Sequence, residues 1–361
     1  MNPTFWRDKR VFVTGHTGFK GAWLCMLLNS FGARVAGYAL PPPTRPSLYE
    51  LARVDELVDS TVADVRNLDL LCDQVSKFEP AFVFHMAAQS VVLRSYEDPV
   101  ETYSTNVLGT VHTLEAIRRM RRGCTVVNVT SDKCYENTGQ SEGYREDAPL
   151  GGRDPYSSSK ACAEMVGNSY RASFFPVSKF DEHGVALASA RAGNVIGGAD
   201  WTPQQLIPDT IAAFQQSRPV VLRHPQSVRP WQHVLDCLAG YLMLAEALSN
   251  DVRSYSGAWN FGPTHVDSRP VQDVVEILGS HWGIKEPWVK DAASHPAEEQ
   301  LLRLDATKAA TLLRWRCRLP IEEALHWVAD WYRDFDRGQD ARMLCNDQIT
   351  SYVRQSQTAH A

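Results

Sequence analysis

Tyr156-Ser157-Ser158-Ser159-Lys160 sets a phenol and an ammonium one helical turn apart. A phenol with an ordinary pKa of about 10 is a poor base at neutral pH, and a cation one turn away favours its ionised form. Such a pair can take the proton of a sugar hydroxyl while a nicotinamide takes the hydrogen of the same carbon. Asp154-Pro155 supplies a cap and a first-turn proline for the helix that must carry both residues. The YxxxK spacing is common by chance and gains meaning from a second motif upstream, Gly15-His16-Thr17-Gly18-Phe19-Lys20-Gly21, which lies between the strand-like Val11–Thr14 and the helical Ala22–Ser30. A strand that turns through glycines into a helix presents unpaired amides and the positive end of the helix dipole to a pyrophosphate, and the missing side chains allow close backbone approach. The pattern is GxxGxxG rather than GxGxxG, and it predicts a dinucleotide site.

The acidic residue that usually holds the adenosine ribose is absent from the second strand's end, Gly37-Tyr38-Ala39-Leu40-Pro41, so the choice between NAD and NADP is weakly specified there. Arg45 is near enough in sequence to meet a 2′-phosphate or to be solvated. Asp64-Val65 either receives the adenine or, through Asp64, caps the next helix. Between the two motifs a strand carries Thr130-Ser131-Asp132.

Positioning these groups requires a scaffold, and the first half of the chain alternates short β-branched runs with helix-length segments. Arg10–Thr14, Arg34–Tyr38, Ala81–Met86, Cys124–Val129 and Ala186–Ala192 read as strands. They are apolar rather than alternating, as strands covered on both faces should be, so the expectation is an α/β fold with a doubly wound parallel Rossmann-type sheet. After about residue 196 the rhythm breaks at Pro203, Pro208, Pro219, Pro225 and Pro230 and is followed by a helix from about Val234 to Leu248 and a strand over Trp259–Gly262. A smaller, mixed C-terminal substrate domain is expected from this change. The last fifteen or so residues read as poorly anchored.

The 361 residues, 44% hydrophobic and 22% charged, provide a full core without the bias of a disordered chain. A net charge of −5 argues against a phosphate polymer as main partner. Eight cysteines without a CxxC pair suggest a reducing compartment, and an N-terminal stretch broken by glycines and a lysine reads as neither signal peptide nor membrane span, so the cytoplasm is the expected location. Metal or nucleophilic chemistry fits poorly, with no HExxH, clustered Cys/His set or GxSxG turn; His224 and His233 are isolated. Trp201, Trp231, Trp259, Trp282 and Trp315 either stack a base or fill the core.

With His85-Met86-Ala87-Ala88-Gln89, Thr105-Asn106-Val107-Leu108-Gly109-Thr110 and Arg191-Ala192-Gly193-Asn194-Val195 added, the chain resembles the extended short-chain dehydrogenase/reductase (NAD-dependent epimerase/dehydratase) family from Val11 to about Tyr332. Gly18-Phe19-Lys20-Gly21, Ser131-Asp132-Lys133-Cys134-Tyr135-Glu136-Asn137 and Arg229-Pro230-Trp231-Gln232-His233-Val234 look like the sugar-nucleotide 4,6-dehydratases within it. The resemblance implies NAD as cofactor, CDP-glucose as small-molecule substrate, and an internal redox cycle in which C4 is oxidised, water leaves across C5 and C6, and the hydrogen returns to C6. A C4 ketone acidifies the C5 proton, so a poor leaving group can depart once base and acid are in place. In this scheme Tyr156 is base for the C4 hydroxyl, Lys160 stabilises its phenolate and holds the nicotinamide ribose, Ser131 binds the C4 oxygen, and Asp132 is acid for the C6 hydroxyl, with burial expected to raise its pKa. Lys133 stands where the similar dTDP-glucose dehydratases carry glutamate, and is either the C5 base, favoured here, or a charge that stabilises the enolate.

The resemblance also implies cofactor contacts from Gly15, His16, Thr17, Gly18, Phe19, Lys20, Gly21, Asp64, Val65, Ala87, Ala88, Gln89 and Asn106. Arg94, Asn194, Arg223, Arg229 and Arg303 are expected at the sugar nucleotide, Arg94 facing the sugar or only packing. The expected division is residues 1–196 with 233–262 for the cofactor and 197–232 with 263–361 for the sugar nucleotide, the ligand lying in the cleft. A homodimer is expected through the helices containing Val107–Met120 and Tyr156–Tyr170. An NDP-sugar 4-epimerase, a dehydratase for another nucleotide sugar and a non-catalytic redox-sensing scaffold are the competing readings.

Overall fold

The computed structural model describes residues 1–263, 268–293 and 301–358. Twelve strands are present among them: β1 Arg10–Thr14, β2 Arg34–Ala39, β3 Asp59–Val62, β4 Phe82–His85, β5 Cys124–Val129, β6 Val185–Ala192, β7 Asn194–Ile196, β8 Val220–Leu222, β9 Val228–His233, β10 Gly257–Phe261, β11 Ser268–Pro270 and β12 Trp288–Lys290. The longer helices are α1 Phe19–Ser30, α2 Leu68–Phe78, α3 Gly109–Met120, α4 Pro155–Ser173, α5 Leu206–Gln215, α6 Val234–Asn250, α7 Val271–Trp282, α8 Ile321–Asp336 and α9 Ala341–Thr358.

Seven strands form one parallel sheet in the order β10-β6-β5-β4-β1-β2-β3. Its central strands are buried along their whole length, which explains why their sequences are mostly apolar rather than alternating. One layer of core lies between the sheet and α2 and α3; the larger one contains α1, α6 and α8. The strand order reverses between β1 and β4, and in sheets of this kind the carboxyl ends at the reversal open the crevice where ligands bind. Both sequence motifs begin on that edge. Three further strands form a small mixed sheet, β11-β9-β7, and β8 pairs with β12. All five named tryptophans pack into the core: Trp231, Trp259 and Trp315 are buried, Trp201 meets Trp331, Tyr332 and Phe335 edge-on, and Trp282 tilts against Phe214.

The expected loose tail is corrected through residue 353. Within α9, Cys345, Ile349 and Tyr352 are buried, and the Tyr352 hydroxyl donates to Asp236 Oδ1 at 2.7 Å. The reason lies in α1, whose residues Gly21 to Leu28 are all buried. An apolar helix without a polar face needs cover on both sides; the sheet supplies one and α9, packed across α1, supplies part of the other. The partners are far apart in sequence, so local patterning could not announce them. Among the described residues no helix is long and apolar enough to cross a membrane.

Candidate active site

The loop after β1 is shaped by two glycines. Gly15 has φ +79°, and a Cβ there would lie 2.8 Å from the Ala87 nitrogen, so the glycine lets the ends of β1 and β4 touch. A Cβ on Gly21 would lie 2.1 Å from the Gly15 carbonyl oxygen, so α1 can begin only because that side chain is missing. Gly18 occupies the N-cap and brings no capping side chain, leaving the helix N-terminus to an external acceptor. The His16 ring turns away onto the backbone of Gly37 and shares a 2.7 Å hydrogen bond with Ser60. Burial lowers its pKa to about 4 and keeps it neutral. It therefore fills the end of β2, where an acidic residue is lacking, and only its backbone faces the loop. Thr17 donates to the Leu40 carbonyl, and the Thr14 hydroxyl accepts from the Met86 and Ala87 amides.

At the end of β3 the capping alternative for Asp64 is corrected. Asn67 caps α2 by accepting from the Leu70 amide, while Asp64 accepts from the Arg66 amide and pairs with the Arg66 guanidinium, which holds its carboxyl below the usual range. Asn67 stands at the N-cap position, directly before the helix, whereas Asp64 lies three residues too early to reach its first amides and remains beside buried Val65. Asn106 is a strut rather than a surface group: its amide accepts from Gln89 N and donates to Gln89 O and to Ser159 Oγ. It thereby joins the Ala87-Ala88-Gln89 turn to α4.

Asp154 accepts from the Ser157 amide and Pro155 opens α4, as its sequence predicts. Tyr156 and Lys160 are both buried on this helix, and Ser131, just past the end of β5, lies near enough to the phenol to favour its ionised form. Burial, which spacing does not reveal, opposes both charges: it pushes the phenol up and, with repulsion from Lys20, lowers Lys160 to about 8. Lys20 reaches from the glycine loop towards the Tyr241 ring. Ser131 donates to Asp132 Oδ1 at 2.9 Å and caps a short turn, Asp132–Cys134, on which Lys133 is half-buried. A Cβ on Gly193 would stand 3.3 Å from Asp132 Oδ2, which places this carboxylate at the junction of β6 and β7. Tyr156, Lys160, Ser131, Asp132 and Lys133 thus converge from α4 and β5.

The remaining cations are less gathered. Arg229 is buried on β9, Asn194 opens β7 beside it, and Arg223 follows β8. Arg303 reaches the Ser141 carbonyl of the loop after β5. Arg94 is held by both oxygens of Glu101 and stands largely in solvent. His233 caps α6 by accepting from the Leu235 amide. Sequence reasoning passed over Glu164, buried one turn beyond Lys160 and bonded to Thr130 and Arg191; the i+4 spacing from Lys160 was the available signal.

A glycine cradle at the reversal of a parallel sheet, with a buried tyrosine–lysine pair across it, defines a dinucleotide-dependent enzyme of the short-chain dehydrogenase/reductase class. The chain belongs to the NAD-dependent epimerase/dehydratase family within it: residues 12–327 match the family model described as GDP-mannose 4,6 dehydratase. It is 46% identical over 353 residues to the CDP-glucose 4,6-dehydratase of Salmonella typhimurium, covering 98% of each chain. A Thermus thermophilus UDP-glucose 4-epimerase, solved in complex with NAD, superposes with a TM-score of 0.76 at 25% identity, covering 90% of this chain and 99% of that one. A dTDP-glucose 4,6-dehydratase from Streptomyces venezuelae has the same fold, with a TM-score of 0.78 at 24% identity over 90% of this chain and 97% of its own.

Proposed function

We propose that this protein is a CDP-glucose 4,6-dehydratase, a hydro-lyase that converts CDP-D-glucose to CDP-4-keto-6-deoxy-D-glucose and water. The observation that carries the reading is the contiguous Ser131-Asp132-Lys133 turn facing Tyr156, together with near full-length similarity to the Salmonella enzyme. An epimerase needs the tyrosine and lysine but no acid for a C6 hydroxyl.

The glycine cradle fits the pyrophosphate of NAD, since Gly15 and Gly21 let the loop close against Ala87 and against itself, and Gly18 leaves the N-terminus of α1 without a capping side chain. Amides of the Gly15–Gly21 loop would hold that pyrophosphate, Asp64 and Val65 the adenine end, Ala87, Ala88 and Gln89 the middle, and Lys160 the nicotinamide ribose. Bound NAD supplies a reversible two-electron acceptor, taking hydrogen from C4 and returning it at C6. Tyr156 receives the C4 hydroxyl proton, Ser131 donates to the C4 oxygen, Lys133 removes the C5 proton, and Asp132 protonates the departing C6 hydroxyl. Asn194, Arg223, Arg229 and Arg303 supply donors for the two phosphates and the sugar.

The cofactor is assigned to residues 1–196 with 233–262 and the sugar nucleotide to 197–232 with 263–361. A homodimer is the working assembly, supported by exposed Val100, Tyr103, Leu108 and Met165 on adjoining elements. Eight unpaired cysteines support a reducing cytoplasm. Incubation with CDP-glucose and NAD is the test: 4-keto-6-deoxy product is expected, a C4-inverted sugar would favour the epimerase, and unchanged substrate the scaffold. Lys133→Met should sharply slow exchange of the C5 hydrogen with solvent, and normal exchange would remove Lys133 as base.

A further inference from the structure

The base and the cation assigned to oxidation at C4 stand on α4, and Ser131 and the residues assigned to elimination across C5 and C6 follow β5. Two elements built so far apart in sequence need something to fix their separation, and one carboxylate touches both. Glu164 is fully buried on α4, one turn beyond Lys160. Its Oε1 accepts from the Thr130 hydroxyl at 2.5 Å, and Thr130 immediately precedes Ser131. Its Oε2 accepts from Arg191 Nη2 at 2.9 Å, an ion pair in which the arginine is 3% exposed. Arg191, on β6, carries the link onward: Nη1 donates to the Tyr135 hydroxyl at 2.8 Å and to the Glu146 carbonyl at 3.0 Å, and the Tyr135 hydroxyl donates to Asn260 on β10 at 2.7 Å. The turn Asp132–Cys134 is therefore held on both flanks, by Thr130 before it and Tyr135 after it, and both holds lead to Glu164.

A buried ion pair is often replaceable by apolar residues without loss of stability, so stability alone is a weak reason for this one. From this geometry we propose that Glu164, through Thr130 and Arg191, is the positioning residue that keeps Asp132 and Lys133 in register with Tyr156 and Lys160. The proposal rests on the reaction assigned above. Glu164 also offsets the burial that lowers Lys160, so it supports the cation on one side while it locates the turn on the other.

Glu164→Gln would leave Arg191 buried without its counter-charge and can fail to fold for that reason alone, so the informative variant is Thr130→Val, which keeps the shape and removes one hydrogen bond. A displacement of about 1 Å can cost on the order of 100-fold in turnover, and a fall in kcat of at least about tenfold with KM changed less than about threefold is expected. Thr130→Ser should restore kcat to within about threefold, because the hydroxyl returns. Elimination should also become more nearly rate-limiting, so the kcat isotope effect of C5-deuterated CDP-glucose should exceed that of the wild type. Amide hydrogen exchange of residues 131–135 in the resting protein should quicken in Thr130→Val and recover in Thr130→Ser. That measurement needs no turnover: a wild type inert on CDP-glucose with the same exchange pattern would overturn the assigned reaction and leave the clamp standing. Unchanged exchange in Thr130→Val, or an unchanged isotope effect, or equal losses in the valine and serine variants, would overturn the clamp.

Discussion

Lys160 is poised close to its own titration, because burial and the neighbouring Lys20 both disfavour its charge and bring it down to about 8. A lysine with a lowered pKa keeps its proton below that value and loses it as pH rises through it. If turnover depends on the ammonium, kcat should fall on the alkaline side with a midpoint near 8. Lys20→Met removes the repelling charge and should move that limb upward, as a kcat–pH profile at saturating cofactor and substrate would reveal. A limb that stays in place would mean the two cations do not sense each other during turnover. Residue types and spacing made Tyr156, Lys160, Ser131 and Asp132 legible in the sequence, since each chemistry demands a particular side chain. What was hidden is environment. The spacing suggested attraction between phenol and ammonium, whereas burial opposes both charges; His16 reads as part of the phosphate loop but turns its ring onto Gly37.

Elements announced themselves where they are locally self-consistent. β1 and β5 have the bounds their apolar runs predict, and α4 begins at its proline behind an aspartate cap. The tail helix α9 did not, because its stabilising partners belong to α1 and α6. At this scale Asp236 matters most. Its carboxylate, buried on α6, accepts from the Arg318 and Leu319 amides and from the Tyr352 hydroxyl, so it ties α6 to the segment before α8 and to α9. Burial outweighs those donors and raises its pKa from 3.8 to about 6. With the folded value above the unfolded one, the contribution is fully present below about pH 4 and is lost as pH rises through about 6. That shift corresponds to a pH-dependent swing on the order of 3 kcal/mol. Urea unfolding across pH 4 to 7 should give Asp236→Asn a smaller fall in stability with rising pH than the wild type. Parallel curves would show that Asp236 does not titrate between the two states.

For the whole molecule, the outward side of α4 raises the question of assembly. Met165 lies on α4, 54% exposed, while Tyr156 and Lys160 on the same helix are buried. Val100 and Tyr103 on the short helix Pro99–Tyr103 and Leu108 at the end of the π-helical segment Ser104–Leu108 are also exposed, Val100 at 76%. Both segments pack against α4, so these apolar side chains belong to neighbouring elements rather than to scattered positions. Exposed apolar side chains gathered on neighbouring elements are a usual mark of an interface, and a twofold pairing would set the same surface against its own copy. The double change Leu108→Glu with Met165→Glu places like charges on both sides of such a contact. It should shift a sedimenting dimer to a monomer while the far-UV circular dichroism stays native. Because Asn106 in the π segment donates to Ser159 on the same helix as Tyr156, the separated protomers should also lose turnover more than substrate affinity. A wild-type protein that sediments at its 40.4 kDa chain mass at micromolar concentration would refute the pairing, and the apolar face would need a different partner.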